Sequence, residues 1–540
     1  PACSTIERAT ADALKRFVDA GGRIIALGEL PSKSVEQGHD GHVADAMQAI
    51  FGQDYERSFE VAQADAPVVA GELASGWRGG ALIGYPFEGD DEEIIDDFAQ
   101  AFHAAVEPDV RLYDEAGRFV EDVVHFHYER EGRHFVLLQN TSREAAHSFH
   151  AVLPVTGEVE VWDPEDGSIE PATVVRGDKG HLHIPVSLEP TQATLLCIDP
   201  SAKCPSTPLI EASLPIEFVA DDHAVGLAGE TGTHSVTVGS HEGEPRVIEQ
   251  AVRGMPDVVE LDDAWAFETV SPSALPLRRW EYEMEYHVVD TDRATNQHVY
   301  RTRFHADIVP ADARLLLDGL ATEKVWERST VVNFEVSVNG DPVGRSTGAR
   351  GADGIDGMQR GDYLDHFIYE SPLEGLLVAG PNVVEVRTHG QLYDTPNLGH
   401  PVIIVGRFAT GERDGEPVLM PEPEVLDGSG WDRQGYCYFS GVGVYRQKVK
   451  LTEAQRKCRL FLEMDQPGDL VEVRVNGKTC GVRAWEPWRV EITNALSGPT
   501  NEIEIHVANS LQNLLVHEPK PSGILGRVRL VPMKELHFEI

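Results

Sequence analysis

Trp485-Glu-Pro-Trp488 runs directly into Arg489, setting two indoles three residues apart beside a guanidinium. With Tyr436, Tyr438 and Tyr445 before them and Asn509 after, these residues could form a stacking platform for a sugar ring. An aromatic surface suits the apolar face of such a ring, while Arg489 and Asn509 would satisfy its hydroxyls. The competing role is mechanical and more common: the Trp-Glu-Pro-Trp turn plugs one end of a β-sandwich. Cleaving a glycosidic bond needs more, namely two carboxyl groups facing one another on rigid supports. The chain has 89 acidic residues, so neighbours such as Asp90-Asp91 and Asp262-Asp263 arise by chance and read first as solvated surface.

Other groupings are weaker. His125-x-His127 and His181-x-His183 each put two imidazoles on one side of a strand, where they could pair on a metal, although alternating exposed histidines are the commoner case. The Gly- and Asp-rich stretch 350–365, with Arg350-Gly-Ala-Asp-Gly-Ile-Asp-Gly357, could offer carboxylates and carbonyls to a structural calcium ion. It lacks the ligand spacing of a known calcium loop, which favours a flexible insertion; no other cofactor is expected. Gly76-Trp-Arg-Gly-Gly80 has no Lys-Ser/Thr pair to cradle a phosphate. No Gly-x-Ser-x-Gly elbow occurs, and Cys3 has no histidine at a recognisable spacing. No catalytic residue is assigned.

The elements that would position the Trp-Glu-Pro-Trp turn are strands. Val471, Val473 and Val475 alternate with Glu472 and Arg474, and Asn476-Gly477 supplies the positive-φ pair of a tight hairpin. Arg489-Val-Glu-Ile and the Ile503, Ile505, Val507 series continue the alternation, giving a β-sandwich with a jelly-roll succession of short strands. An earlier stretch repeats this grammar: a strand ending in Asn339-Gly340, a Gly380-Pro loop, and Asn382 opening another strand, matching Asn476-Gly477, Gly498-Pro and Asn501. The first copy carries a longer insertion, Arg345 to Tyr369.

In chain order, residues 1–108 predict a small α/β layer. Ser4-x-x-Glu7 reads as a capping box opening a helix, Arg23–Leu27 as a buried parallel strand, His42–Phe51 as a second helix, and Asp90-x-x-Glu93 as the cap of a last one. Only Pro1-Ala2-Cys3 precedes the first helix, so the chain is expected to be cut from something longer. Residues 109–204 predict a β-sandwich, 205–280 a β-rich connecting region, 281–410 the first repeated module, and 411–540 a linker (411–423) and the second. The fold class is thus multidomain and mainly β, an α/β domain followed by β-sandwiches.

A net charge of −43 over 540 residues leaves no electrostatic footprint for nucleic acid or an anionic membrane surface, so neither is an expected partner. No run of about eighteen apolar residues exists to span a bilayer. Six cysteines without a Cys-x-x-Cys spacing predict reduced thiols, which slightly favours the cytoplasm.

Residues 109–199, with Val136-Leu-Leu-Gln-Asn-Thr-Ser142 and Val161-Trp-Asp-Pro-Glu-Asp-Gly167, resemble the β-sandwich that follows the catalytic barrel in glycoside hydrolase family 106, the α-L-rhamnosidases. Tyr445-Arg446, Val473-Arg-Val-Asn-Gly477, Trp485-Glu-Pro-Trp-Arg489, Asn509-Ser-Leu and Pro521-Ser-Gly-Ile-Leu-Gly526 are similar to that family's terminal galactose-binding-like jelly roll, itself similar to the sugar-binding domain of family 2 β-galactosidases. Gly21-Gly-Arg-Ile-Ile-Ala-Leu-Gly-Glu-Leu-Pro31 is similar to the amidotransferase-like α/β domain of such enzymes. The family's catalytic glutamates lie on its barrel, and no barrel of ~250 residues fits before residue 109. The resemblance therefore implies the accessory portion of a glycoside hydrolase acting on rhamnose-like glycosides, with carbohydrate and an upstream catalytic domain as partners and Trp485, Trp488, Arg489, Tyr436 and Asn509 as the carbohydrate-contacting set. The alternatives are a free-standing carbohydrate-binding or scaffold protein, and an enzyme whose site lies between the α/β domain and the first sandwich.

Overall fold

The computed structural model describes residues 4–27, 30–52, 69–70, 79–83, 108–114, 116–165, 167–172, 176–178, 180–202, 209–219, 223–239, 245–290, 293–318, 333–346, 355–361, 363, 368–390, 402–516 and 519–540. It is multidomain and mainly β, and it divides into two compact units, one of residues 1–161, 174–188 and 193–204, the other of 162–173, 189–192 and 205–540.

In the first unit, helices Arg8–Asp19 and Gly41–Phe51 pack around Ala11, Val43, Met47 and Ile50, and strand Arg23–Leu27 pairs in parallel with Gly79–Ile83. The predicted capping box does not form. Thr5 and Ile6 are drawn into a parallel pair with Lys33 and Ser34, so the helix starts later, with Glu7 at its N-cap and no side-chain cap bond. The second helix is capped by Asp40, which accepts from the His42 amide at 3.0 Å and holds Arg8 at 2.6 Å. Asp90-x-x-Glu93 lies outside the described residues. The rest of the unit is a two-sheet sandwich. Strands Arg176–Asp178, His181–Leu188, His147–Leu153 and Arg111–Tyr113 make one layer, and Glu158–Trp162, Ala193–Asp199, Arg133–Asn140 and Val123–Arg130 the other. Leu112, Val136, Leu138, Ala151, Leu153, Leu182, Leu196 and Ile198, drawn from both layers, are buried.

The second unit contains two such sandwiches, one inserted in the other. One six-stranded sheet of the C-terminal module runs in the order Val425–Leu426, Trp265–Thr269, Val442–Lys450, Thr500–Ala508, Leu470–Val475, Lys478–Arg483. The facing sheet contains Ile216–Val219, His223–Ala228, Leu525–Glu539, Arg459–Gln466 and Arg489–Glu491. The region 205–280 is therefore not a connector. The terminal strand is 15 residues long; its first part pairs with Arg459–Gln466, and its last residues, Lys534 to Glu539, need another partner and find it in His223–Ala228. The other module begins at Ser273, because Ser273–Leu277 pairs with Val402–Gly406. Nor is 411–423 a linker. Ala409–Arg413 and Glu416–Met420 form a hairpin closed by Asp414 (φ 53°) and Gly415 (φ 84°), the Asp-Gly pair that a two-residue turn demands.

The repeat is present at the level of single hydrogen bonds. Asn339 and Asn476 both take positive φ ahead of Gly340 and Gly477. Asn339 Nδ2 donates to the Leu376 carbonyl (2.9 Å) and to Asn382 Oδ1 (2.8 Å), and its Oδ1 accepts from the Val383 amide. Asn476 Nδ2 donates to the Ala495 carbonyl (2.9 Å) and to Asn501 Oδ1 (2.8 Å), and its Oδ1 accepts from the Glu502 amide. The partners Asn382 and Asn501 are fully buried. The paired asparagines are 43 residues apart in the first copy and 25 in the second, a difference that falls on the predicted insertion.

Candidate functional site

The Trp-Glu-Pro-Trp turn joins strands Lys478–Arg483 and Arg489–Glu491. Both indoles are half-buried, and Trp488 packs on the core of the C-terminal module while its carbonyl accepts from the Met464 amide at 3.0 Å. The start of the turn is held by a carboxylate that the sequence did not single out. Glu165 Oε1 accepts from the Ala484 amide at 2.5 Å, and Oε2 lies 3.3 Å from Arg483 Nη1. Its side chain is 6% exposed, and burial pushes its pKa up against the opposing pull of the Ala484 amide and the Arg483 charge. Arg483 in turn donates to the carbonyls of Arg489 and Val482. The one sequence signal for Glu165 was its place in the Asp163-Pro-Glu-Asp-Gly167 turn, which gave no sign of a partner more than 300 residues away.

Arg489 is likewise employed internally. Its guanidinium lies 3.9 Å from the Phe461 ring centroid and 3.6 Å from the Glu463 carboxylate, and burial lowers its pKa. Beside it, Arg459 binds Glu491 at 2.5 and 3.0 Å and also pairs with Glu217.

Three of the aromatic and polar residues assigned to a platform are elsewhere. Tyr436 is 1% exposed, with its hydroxyl 3.4 Å from Glu422, and Tyr445 is wholly buried, its oxygen accepting from the Ile524 amide. Both belong to an aromatic core with Trp265, Phe267, Trp431 and Phe439, where burial raises both phenol pKa values. The reason is packing: the short turn Trp431–Arg433 folds the 431–439 segment inward, and Tyr445 sits on the inward-facing register of its strand. Asn509 spends its side chain on backbone at the end of strand Thr500–Ala508. Nδ2 donates to the Phe439 carbonyl at 2.9 Å and Oδ1 accepts from the Gly441 amide at 2.9 Å. Tyr438 is half-buried under the Arg278 guanidinium. Trp485, Trp488 and Arg489 follow one another along the turn and the strand after it, whereas Tyr436 lies in the core and Asn509 bonds backbone at a strand end.

The other candidates resolve as follows. His127 bridges Asp109 (2.6 Å) and His134 (3.1 Å), whereas His125 is exposed. Among the described residues no group of three or more His, Cys, Asp or Glu could hold a metal ion. Residues 350–354, 362, 364 and 365 lie outside the described residues, and Ile355 and Met358 pack on the first module's core. Asp263 accepts from the Gly428 amide at 2.8 Å and, with Glu260, Asp262 and Arg527, lines a groove of about 420 Å³. Asp90 and Asp91 lie outside the described residues. Cys197, Cys437, Cys458 and Cys480 are free thiols. Among the described residues no helix is long and apolar enough to cross a membrane.

The arginine-rich face carries a pH dependence. Arg459 holds Glu491 below its usual pKa, helped by the Thr493 hydroxyl and opposed by burial. A carboxylate whose folded pKa is depressed contributes stability above its unfolded pKa, here near 4.5, and loses it as pH falls through the folded value. Urea midpoints measured from pH 6 downward should therefore fall more steeply below about pH 4.5 in the wild type than in Glu491→Gln. Parallel curves would remove Glu491 from the acid response.

No family model matches the chain. Over 99 residues, 18% of the chain, it is 29% identical to a protein of Formosa agariphila named "Putative beta-glucuronidase", of which it covers 8%. A rhamnosidase from Novosphingobium sp. PP1Y aligns in structure with 98% of the chain and 32% of its own length, at 16% identity and a TM-score of 0.38. The Streptomyces avermitilis α-L-rhamnosidase complexed with L-rhamnose aligns with 79% of the chain and 40% of its own, at 13% identity and a TM-score of 0.24. The chain spans less than half the length of each of these proteins.

Proposed function

We propose that this chain is a supporting, non-catalytic portion of a glycoside hydrolase of the family 106 kind, acting on a terminal rhamnose-like or related glycoside. In this reading the two modules of the second unit are galactose-binding-like jelly rolls, the α/β layer is the amidotransferase-like domain, and together they brace a catalytic barrel. The observation that carries it is how the Trp-Glu-Pro-Trp region uses its polar groups. Arg483, Arg489 and Glu165 hold protein, and Asn509 ties strand ends together, as befits a bracing element more than a reaction centre. The chain alone is expected to release no nitrophenol from an aryl α-L-rhamnoside; turnover above the buffer rate that co-purifies with the folded chain would overturn the proposal.

Glycan holding is the second reading, favoured by the half-exposed state of Trp485 and Trp488. Glycan-array binding that disappears in Trp485→Ala with the melting temperature unchanged would support it, and unfolding of that variant would assign the indole to packing.

A further inference from the structure

In the inserted module the long strand Arg293–Ala306 is paired along one edge with Gly380–Gly390 from Asn296 to Ala306. Its other edge is shared by two strands. Glu281–Asp290 runs antiparallel and ends opposite Arg301, and Glu416–Met420 runs parallel and pairs only with His305 and Ala306. Thr302, Arg303 and Phe304 thus lie where the two neighbours diverge. A cavity of about 190 Å³ occupies the fork, lined by Arg279, Trp280, Glu281, Arg301, Thr302, Arg303 and the Gly415–Pro417 turn.

The lining is unusual for a chain of net charge −43, because three guanidiniums meet two carboxylates there. Arg301 is committed, lying 2.6 Å from Glu385 and 2.8 Å from Glu283. Arg279 and Arg303 are held by fewer charged partners among the described residues. Arg279 donates to the Gly415 carbonyl at 2.5 Å, lies 3.9 Å from the Glu412 carboxylate, and is 72% exposed. Arg303 pairs with Glu281 at 3.2 Å and is 51% exposed. Each guanidinium has five N–H donors in a planar fork that matches a carboxylate. Trp280 has its indole N–H satisfied by the Leu277 carbonyl at 2.9 Å, which leaves the ring as a wall with no polar demand of its own.

We infer that this fork is a binding site for an anionic monosaccharide, one pyranose ring carrying a carboxylate. The carboxylate is taken by Arg279 and Arg303 and the apolar ring face lies against Trp280. The cavity has the size of a single ring rather than an oligosaccharide. This site does not depend on the hydrolase reading, since it needs neither a catalytic domain nor the Trp-Glu-Pro-Trp turn.

The test is saturation-transfer NMR and calorimetric titration of the full chain with D-glucuronate, D-glucose and acetate in turn. Saturable glucuronate binding is expected, with transfer to its ring protons, and glucose and acetate should each bind at least about tenfold more weakly. Arg279→Gln with Arg303→Gln should weaken glucuronate by about tenfold or more. Both are exposed, so the melting temperature should hold. Absence of saturable glucuronate binding would overturn the assignment. So would acetate binding as tightly as glucuronate, which would mark a counter-ion patch, or glucuronate affinity unmoved in the double variant.

Discussion

Asn501→Ala is expected to lower the stability of the second unit by roughly 3 kcal/mol, far more than its one-residue size suggests. Asn501 is 1% exposed, and its oxygen accepts from Asn476 Nδ2 at 2.8 Å and the Ser497 amide at 2.9 Å, while its nitrogen donates to the Gly498 carbonyl at 3.0 Å. Truncation removes all three bonds from a fully buried side chain and leaves its partners without their counterpart. A polar group left unpaired in the interior costs about 1–3 kcal/mol, and three hydrogen bonds are lost here. Asn382→Ala should behave alike in the inserted module, because its bonds to Asn339, Val378 and Gly380 repeat the pattern. Urea unfolding monitored by tryptophan fluorescence reads the loss. A change below about 0.5 kcal/mol, the range of ordinary surface substitutions, would mean that the asparagine pair is not a brace.

Trp431→Ala should cost as much or more, about 3–5 kcal/mol. The indole is fully buried, stacked 6.4 Å from Tyr445 at an interplanar angle of 10° and meeting Phe439 edge-on at 5.4 Å. Backbone has been shaped to admit it. A Cβ at Gly443 would lie 2.5 Å from the indole and 2.7 Å from Phe267, and one at Gly523, which also has φ +94°, would lie 2.3 Å from the Tyr445 oxygen. Gly443→Ala should therefore destabilise from the opposite direction, by overpacking. If Trp431→Ala instead left the unfolding curve unchanged, the aromatic cluster would not be a core and a ligand-facing role would reopen for Tyr436 and Tyr445.

What the sequence revealed was local. Asn339-Gly340 and Asn476-Gly477 announced their turns because positive φ at two successive residues is a demand that few dipeptides meet. The repeat was legible for the same reason, and its asparagine pair could have been inferred from Asn382 and Asn501 as buried polar residues at strand starts. Asp414-Gly415 carried an equal turn signal, but the Gly, Pro and Glu composition around it masked a hairpin as a linker. Long-range pairing was not legible. His223–Ala228 finds its partner about 300 residues later, and nothing in a six-residue apolar run names that partner. Tyr436 and Tyr445 were misassigned because an aromatic residue near a Trp turn looks the same in sequence whether its ring faces the core or solvent. Glu165 was hidden by its chemistry, since one carboxylate in 89 is conspicuous only once it is seen buried against Ala484 and Arg483.

The measurement that bears most directly on the central claim is the denatured intact mass of the protein isolated from its natural host. The account predicts a mass above the 59.3 kDa of this chain by at least roughly 25 kDa, the size of one (β/α)₈ barrel, within a single polypeptide. A mass of 59.3 kDa would contradict it, and the chain would then act by itself, with binding rather than support as its function.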